Sequence, residues 1–236
     1  MGKRLKQQRR GKGSNAYAKP TTRFKADVVV KMPKAQFGEV IDFIDDPGHS
    51  APLMLVRYND NTISINFAPE GIRIGDRITI NDPNNIKLGS IMQLKNIPDG
   101  YYVHNIERSP GDGGAFARGS GTYAIILSHE NGKVNLMLPS KKSITLPDTC
   151  TAEIGVVAGG GMKAEPIMKA GKNYYIMHAR NMLWPRYRGV KMNAVDHPFG
   201  GKQHHKGTSS MVSRNAPPGA KVGHIAARRV GRKKRG

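Results

Sequence analysis

Cationic charge is confined to the two ends of this sequence. Residues 1–25 hold nine basic side chains and no acid, and residues 169–236 hold sixteen basic side chains and one acid, Asp196. The 143 residues between them hold 13 basic against 16 acidic side chains. The formal net charge of +21 therefore belongs wholly to the ends. Crowded like charges repel one another until a polyanion neutralises them. The layout predicts a near-neutral folded body with two arms held by an outside polyanion, either nucleic acid or an anionic membrane surface. No apolar run approaches the ~20 residues that span a bilayer, and residues 1–10 are polar and basic rather than leader-like. No membrane partner is expected, and the setting is expected to be cytoplasmic. The single cysteine, Cys150, excludes an internal disulfide framework and a multi-cysteine zinc site.

The middle of the chain has a β texture. Val28–Val30, Phe37–Ile44, Leu53–Tyr58, Thr62–Phe67 and Arg73–Ile80 are short β-rich runs separated by turn residues, including Asn59-Asp60-Asn61. Five such strands predict a small barrel of the OB type over residues 26–86. Ser90–Leu94, Tyr102–Glu107, Thr122–Glu130, Lys133–Leu138, Ser143–Leu146 and Ala152–Val157 predict a second, SH3-like barrel over 87–160, with Asn131-Gly132 as a two-residue hairpin turn. The fold class is thus mainly β: two small barrels in tandem between a basic extension at 1–25 and another at 161–236. The first extension is too poor in aliphatic residues to order alone. The second offers short helices at Met162–Ala170 and Lys172–Arg180, then a Gly-, Pro- and Arg-rich stretch expected to wrap a partner.

Catalytic and cofactor chemistry finds little support. His204-His205, with His197 upstream, is the one histidine cluster, and no cysteine or glutamate stands near it to complete a metal shell. Asp196-His197 are adjacent, a spacing that rarely presents both side chains to one substrate, and Pro198 favours a structural turn there. The Gly-rich segments 111–121 and 159–161 match neither the P-loop nor the dinucleotide fingerprint. Glycines beside Arg118 suit either close backbone approach to a phosphate or an ordinary barrel loop. Arg186, Arg188 and Lys191 stand beside Trp184 and Tyr187, a mixture suited to phosphate oxygens and unpaired bases, and equally to pinning the extension through Trp184. No enzyme activity, metal or cofactor is expected.

Two blocks stand out: Pro185-Arg-Tyr-Arg188-Gly189-Val-Lys-Met-Asn193-Ala-Val-Asp196-His197-Pro198-Phe-Gly200-Gly201, and Asn96-Ile-Pro98-Asp-Gly100 with Val103-His104-Asn105, Pro110-Gly-Asp-Gly113-Gly114 and Ala117-Arg118. On these blocks the chain resembles the universal large-subunit ribosomal protein L-two family, in its archaeal and eukaryotic branch. Phe199 and Lys202 stand where the bacterial form has His and Gly. The resemblance implies an OB-fold domain, an SH3-like domain and two extensions that penetrate large-subunit ribosomal RNA near the peptidyl-transferase region. It also implies neighbouring ribosomal proteins, small-subunit contacts at the subunit interface, no homo-oligomer, and Mg²⁺ only as bound by the RNA. His197 matches a histidine proposed in the family as a helper in peptidyl transfer, and direct chemistry from it is not expected. The expected RNA-binding residues are Lys3, Arg4, Arg9, Arg10, Lys12, Arg23, Arg118, Arg180, Trp184, Arg186, Arg188, Lys191, Asn193, His197, Lys202, His204, His205, Arg214, Arg228 and Arg229. A general nucleic-acid compaction protein and an RNA-modifying enzyme are the rival functions.

Overall fold

The computed structural model describes residues 2–18, 24–30, 32–201, 209–229 and 231. The chain divides into two units, Thr21–Met168 and the combination of Met1–Pro20 with Lys169–Gly236.

The unit Thr21–Met168 is built of antiparallel sheets, so the fold is mainly β as the texture predicts. Strands β1 (Phe37–Ile44), β2 (Leu53–Tyr58), β3 (Ile63–Phe67) and β4 (Arg77–Thr79) form one sheet in the order β3-β2-β1-β4. Strands β5 (Ile91–Gln93), β6 (Tyr102–His104), β7 (Ala124–Glu130), β8 (Lys133–Met137), β9 (Ser143–Pro147) and β10 (Thr151–Ile154) form a second in the order β5-β10-β6-β7-β8-β9. Alternation sets what is buried. Val40, Met54, Val56 and Ile78 fill one core with Val30 and Ile91, Val103, Ala124, Ile126, Val134, Leu136 and Ala152 fill a second, and Val28, Leu53, Phe67 and Val157 pack in a third.

Turn chemistry fixes the registers. Asn131 and Gly132 both take positive φ, the requirement of the turn type whose twist matches a hairpin, and Glu130 pairs with Lys133 across it. Between β2 and β3, Asn61 takes φ of 62° and Asp60 Oδ1 accepts the Thr62 amide at 3.0 Å.

Several expected strands are shorter than their sequence runs, Ala152–Val157 ending at Ile154 and Ser90–Leu94 reduced to β5 among them. Arg73–Ile80 is reduced to β4 because Gly75 turns at φ 89° and Asp76 Oδ2 holds the Arg73 amide at 2.8 Å. Tyr102–Glu107 is reduced to β6 because Asn105 takes φ of 48°. Val28–Val30 forms no strand. Val28 and Val30 are buried, and the Val30 amide donates to Gly113 at 2.9 Å.

The second unit has more local order than its composition suggests. Helix α1 (Lys6–Gly11) lies in a segment with no helical expectation, and its start is closed by the Leu5 amide donating to Gln8 Oε1 at 3.0 Å. Leu5 is buried. Helix α2 (Ala170–Ala179) covers most of the expected Lys172–Arg180 helix, whereas the Met162–Ala170 segment carries only a 3-10 turn, Gly160–Lys163. Two short strands, β11 (Met211–Val212) and β12 (His224–Ile225), pair in parallel.

Candidate nucleic-acid interface

Most of the expected RNA-binding cations lie in the second unit, and its described part displays them to solvent. Lys3, Arg4, Arg9, Arg10, Lys12, Arg186, Arg188, Lys191, Arg214, Arg228 and Arg229 are exposed, Asn193 is exposed, and Arg180 and Trp184 are half-buried. Segments distant in sequence are joined here. The Lys3 amide donates to the Val195 carbonyl at 2.8 Å, and Asn181 Nδ2 donates to the Ala18 carbonyl at 2.7 Å. Among the described residues none of these cations forms an ion pair. Such a surface stays self-repelling until an external polyanion covers it. Arg23, Lys202, His204 and His205 lie outside the described residues. No group of three or more His, Cys, Asp or Glu side chains able to hold a metal occurs among the described residues.

Arg118 is placed differently. Its Nη1 donates to the Gly114 carbonyl and its Nη2 to the Val28 carbonyl, while the guanidinium stands 5.4 Å from the centroid of Phe67. The Gly-rich loop around it turns its amides onto the chain's own carboxylates. Glu107 is almost wholly buried and accepts the Gly111 and Thr151 amides at 3.1 and 2.9 Å. Asp112 accepts the amides of Arg108, Ser109 and Gly114 at 2.8, 3.0 and 3.0 Å. Burial acts to raise the Asp112 pKa, but those amides hold it below the ordinary carboxylate value. The loop therefore carries its anions within itself, and Arg118 serves to fasten it.

The Asp196-His197 segment is a tight turn. The Asp196 and His197 amides donate to Asn193 O at 2.9 and 3.2 Å, and the Gly200 amide donates to His197 O at 2.9 Å. His197 Nδ1 accepts the Phe199 amide at 3.1 Å, and the two rings lie 5.1 Å apart. With Nδ1 accepting, the neutral ring carries its proton on Nε2. Burial holds the His197 pKa below its ordinary value. The spacing of the neighbouring glycines follows from this packing. A Cβ at Gly189 would stand 2.3 Å from the His197 ring, and one at Gly200 would stand 2.4 Å from Asn193 O. Among the described residues nothing hydrogen-bonds the Asp196 carboxylate, His197 included.

Beside this turn lies a cavity of about 260 Å³. Leu5, Leu183, Pro185 and Met192 supply apolar wall, Tyr187 an aromatic ring, and Lys6, Arg10 and Arg186 cations. Asp196 and His197 also line it, and Lys6 Nζ stands 5.9 Å from the Tyr187 ring centroid. Lys6 and Leu5 are absent from the expected site residues. The one available signal was that Leu5 is the sole Leu, Ile or Val among residues 1–25.

The sequence model of the family described as Ribosomal Proteins L2, C-terminal domain, matches residues 87–221. The chain is 47% identical to the large ribosomal subunit protein uL2 of Methanococcus aeolicus, over 99% of this chain and 100% of that protein. It is 46% identical to the protein of the same name from Haloquadratum walsbyi, over 98% of this chain and 97% of that protein. Both relatives are archaeal, in keeping with the branch the sequence resembles. The chain belongs to the uL2 family of large ribosomal subunit proteins.

Proposed function

We propose that the chain is a structural, non-enzymatic constituent of the large ribosomal subunit that binds ribosomal RNA, supports the peptidyl-transferase region and contributes to subunit association. The observation that carries this is the exposed cations among the second unit's described residues, which form no ion pair there, in a chain whose full-length relatives are named as large-subunit proteins. Residues 26–86 and 87–160 act as two small barrels docking on folded RNA by shape, and 1–25 and 161–236 act as arms that displace counterions from its backbone. Neighbouring ribosomal proteins and the small subunit complete its contacts, and Mg²⁺ enters only with the RNA. The half-buried His197, with Nδ1 occupied by the Phe199 amide, shapes the turn that faces RNA rather than moving a proton.

A titration against large-subunit ribosomal RNA and a length-matched DNA duplex, from about 0.1 to 0.6 M salt, tests this. RNA preference that survives at the higher salt is the expected result. Equal binding to both, collapsing steeply with salt, would overturn it in favour of a general compaction protein.

A further inference from the structure

The cavity beside the Asp196-His197 turn has the composition of a nucleotide pocket. Its volume of about 260 Å³ exceeds the ~150 Å³ that houses one benzene ring, and sits just under the ~300 Å³ at which drug-sized ligand sites begin. That is room for a single fused ring system. Leu5, Leu183 and Met192 offer apolar contact, and Tyr187, which is 59% exposed with Lys6 Nζ 5.9 Å from its ring centroid, offers an aromatic surface beside a cation. Lys6, Arg10 and Arg186 line the same space and suit a phosphate oxygen.

Asp196 decides which base. It is the single acid in residues 1–20 and 169–236, and it lines this cavity. A carboxylate among so many cations opposes phosphate binding and calls for a ligand that donates. No described residue donates a hydrogen bond to it, so its acceptor oxygens are available. The Watson–Crick edge of guanine presents two adjacent donors, N1–H and the N2 amino group, which match the two carboxylate oxygens. Uracil presents one donor between two carbonyls that a carboxylate repels. Adenine and cytosine each place a bare ring acceptor beside their amino group. In a duplex this edge is already paired, so the nucleotide must be unpaired and turned out of its stack.

We propose that this cavity receives an unpaired guanosine nucleotide of the bound RNA, with Asp196 reading its Watson–Crick edge, Tyr187 stacking on the base and the lysine and arginines holding its phosphate. The proposal rests on the RNA-binding function argued above and adds a sequence-reading contact to it.

Trp184, the only tryptophan, sits between the lining residues Leu183 and Pro185 and serves as reporter. Its fluorescence is followed as the full-length protein is titrated with GMP, AMP, CMP and UMP at constant ionic strength. Saturable quenching by GMP at concentrations roughly tenfold below those for UMP is expected. Asp196→Asn, which keeps the shape but loses one acceptor, is expected to abolish that preference. Tyr187→Ala is expected to weaken all four nucleotides, which keeps the test open should the first variant fail to fold. Equal quenching by GMP and UMP, or a preference that survives in Asp196→Asn, would overturn the proposal. The salt titration with ribosomal RNA and DNA is run on the same preparations. RNA preference without GMP preference removes only the pocket, whereas loss of RNA preference removes the function beneath it.

Discussion

Arg118 donates through Nη2 to the carbonyl of Val28, a residue ninety positions earlier in the chain. Its other terminal nitrogen holds Gly114, so one guanidinium ties the Gly-rich loop to the segment that enters the first sheet. The Val28 carbonyl belongs to no strand, and this donor stands in for a ladder partner.

Replacing Arg118 by lysine keeps the charge and loses the planar fork. A single ammonium cannot reach both carbonyls in that geometry or lie flat over Phe67. Arg118→Lys is expected to lower unfolding free energy by about 1–3 kcal/mol in urea denaturation. The salt slope of RNA binding should stay unchanged, because this cation faces inward. A slope reduced by about one, with stability intact, would instead return Arg118 to the RNA surface.

Sequence reading succeeded where the cause was local. Asn131-Gly132 carries its own backbone preference, and the turn forms as its residues dictate. Structure is not legible where the partner is remote. Arg118 among glycines reads the same whether its fork meets a phosphate or Val28, and only the fold distinguishes them. Val28–Val30 has strand composition, yet its hydrogen bonding is taken up by Gly113 and Arg118. Helix α1 is hidden in a basic segment because its one anchoring side chain, Leu5, finds burial through the fold rather than through a periodic apolar face. The glycines of the 185–201 block were visible as a pattern, but their reason, room for the His197 ring and the Asn193 carbonyl, is three-dimensional.

Gly189 gives His197 its seat. Because burial lowers the pKa of His197, the folded chain binds its proton less readily than the unfolded chain does. Stability from this group is present above the ordinary histidine value of about 6.5 and is lost as pH falls below it. Ring-proton NMR is expected to place the His197 midpoint below the ordinary histidine value of about 6.5. In Gly189→Ala, the new methyl displaces the ring, and the midpoint should climb toward the ordinary value. An unchanged midpoint would show that the ring does not occupy this seat.

Cys150 is fully buried, and its thiol pKa is pushed up to about 11 by burial first and then by the carboxylates of Glu107, Asp112 and Asp148. The thiol should resist iodoacetamide at pH 8 while the protein is folded and react promptly once urea unfolds it, as mass spectrometry would record. The folded state holds the thiol proton more tightly, so this group's contribution is full below the ordinary value of about 9 and declines as pH rises toward 11. The stability gap between wild type and Cys150→Ala should narrow over that interval. Rapid labelling of the native protein would contradict the burial.

His104 and Glu153 form a pair with no access to water. His104 Nδ1 lies 3.1 Å from Gly155 O and its Nε2 lies 3.0 Å from Glu153 Oε2, while Glu153 Oε1 accepts from Asn105 Nδ2 at 3.0 Å. The Nε2–Oε2 approach is close but off-line, so neither atom has an aligned hydrogen-bond partner. Two buried polar groups, close but without an aligned hydrogen bond, make this contact between β6 and β10. Removing one partner leaves the other buried without compensation, which costs about 3–5 kcal/mol, whereas an apolar replacement of both is often nearly neutral. His104→Leu and Glu153→Leu are each expected to destabilise by that amount in urea denaturation, and the double substitution by less than either single change. The cycle would then report a coupling of opposite sign to the single losses. If the two losses simply add, each side chain contributes through packing alone and the pair is not coupled.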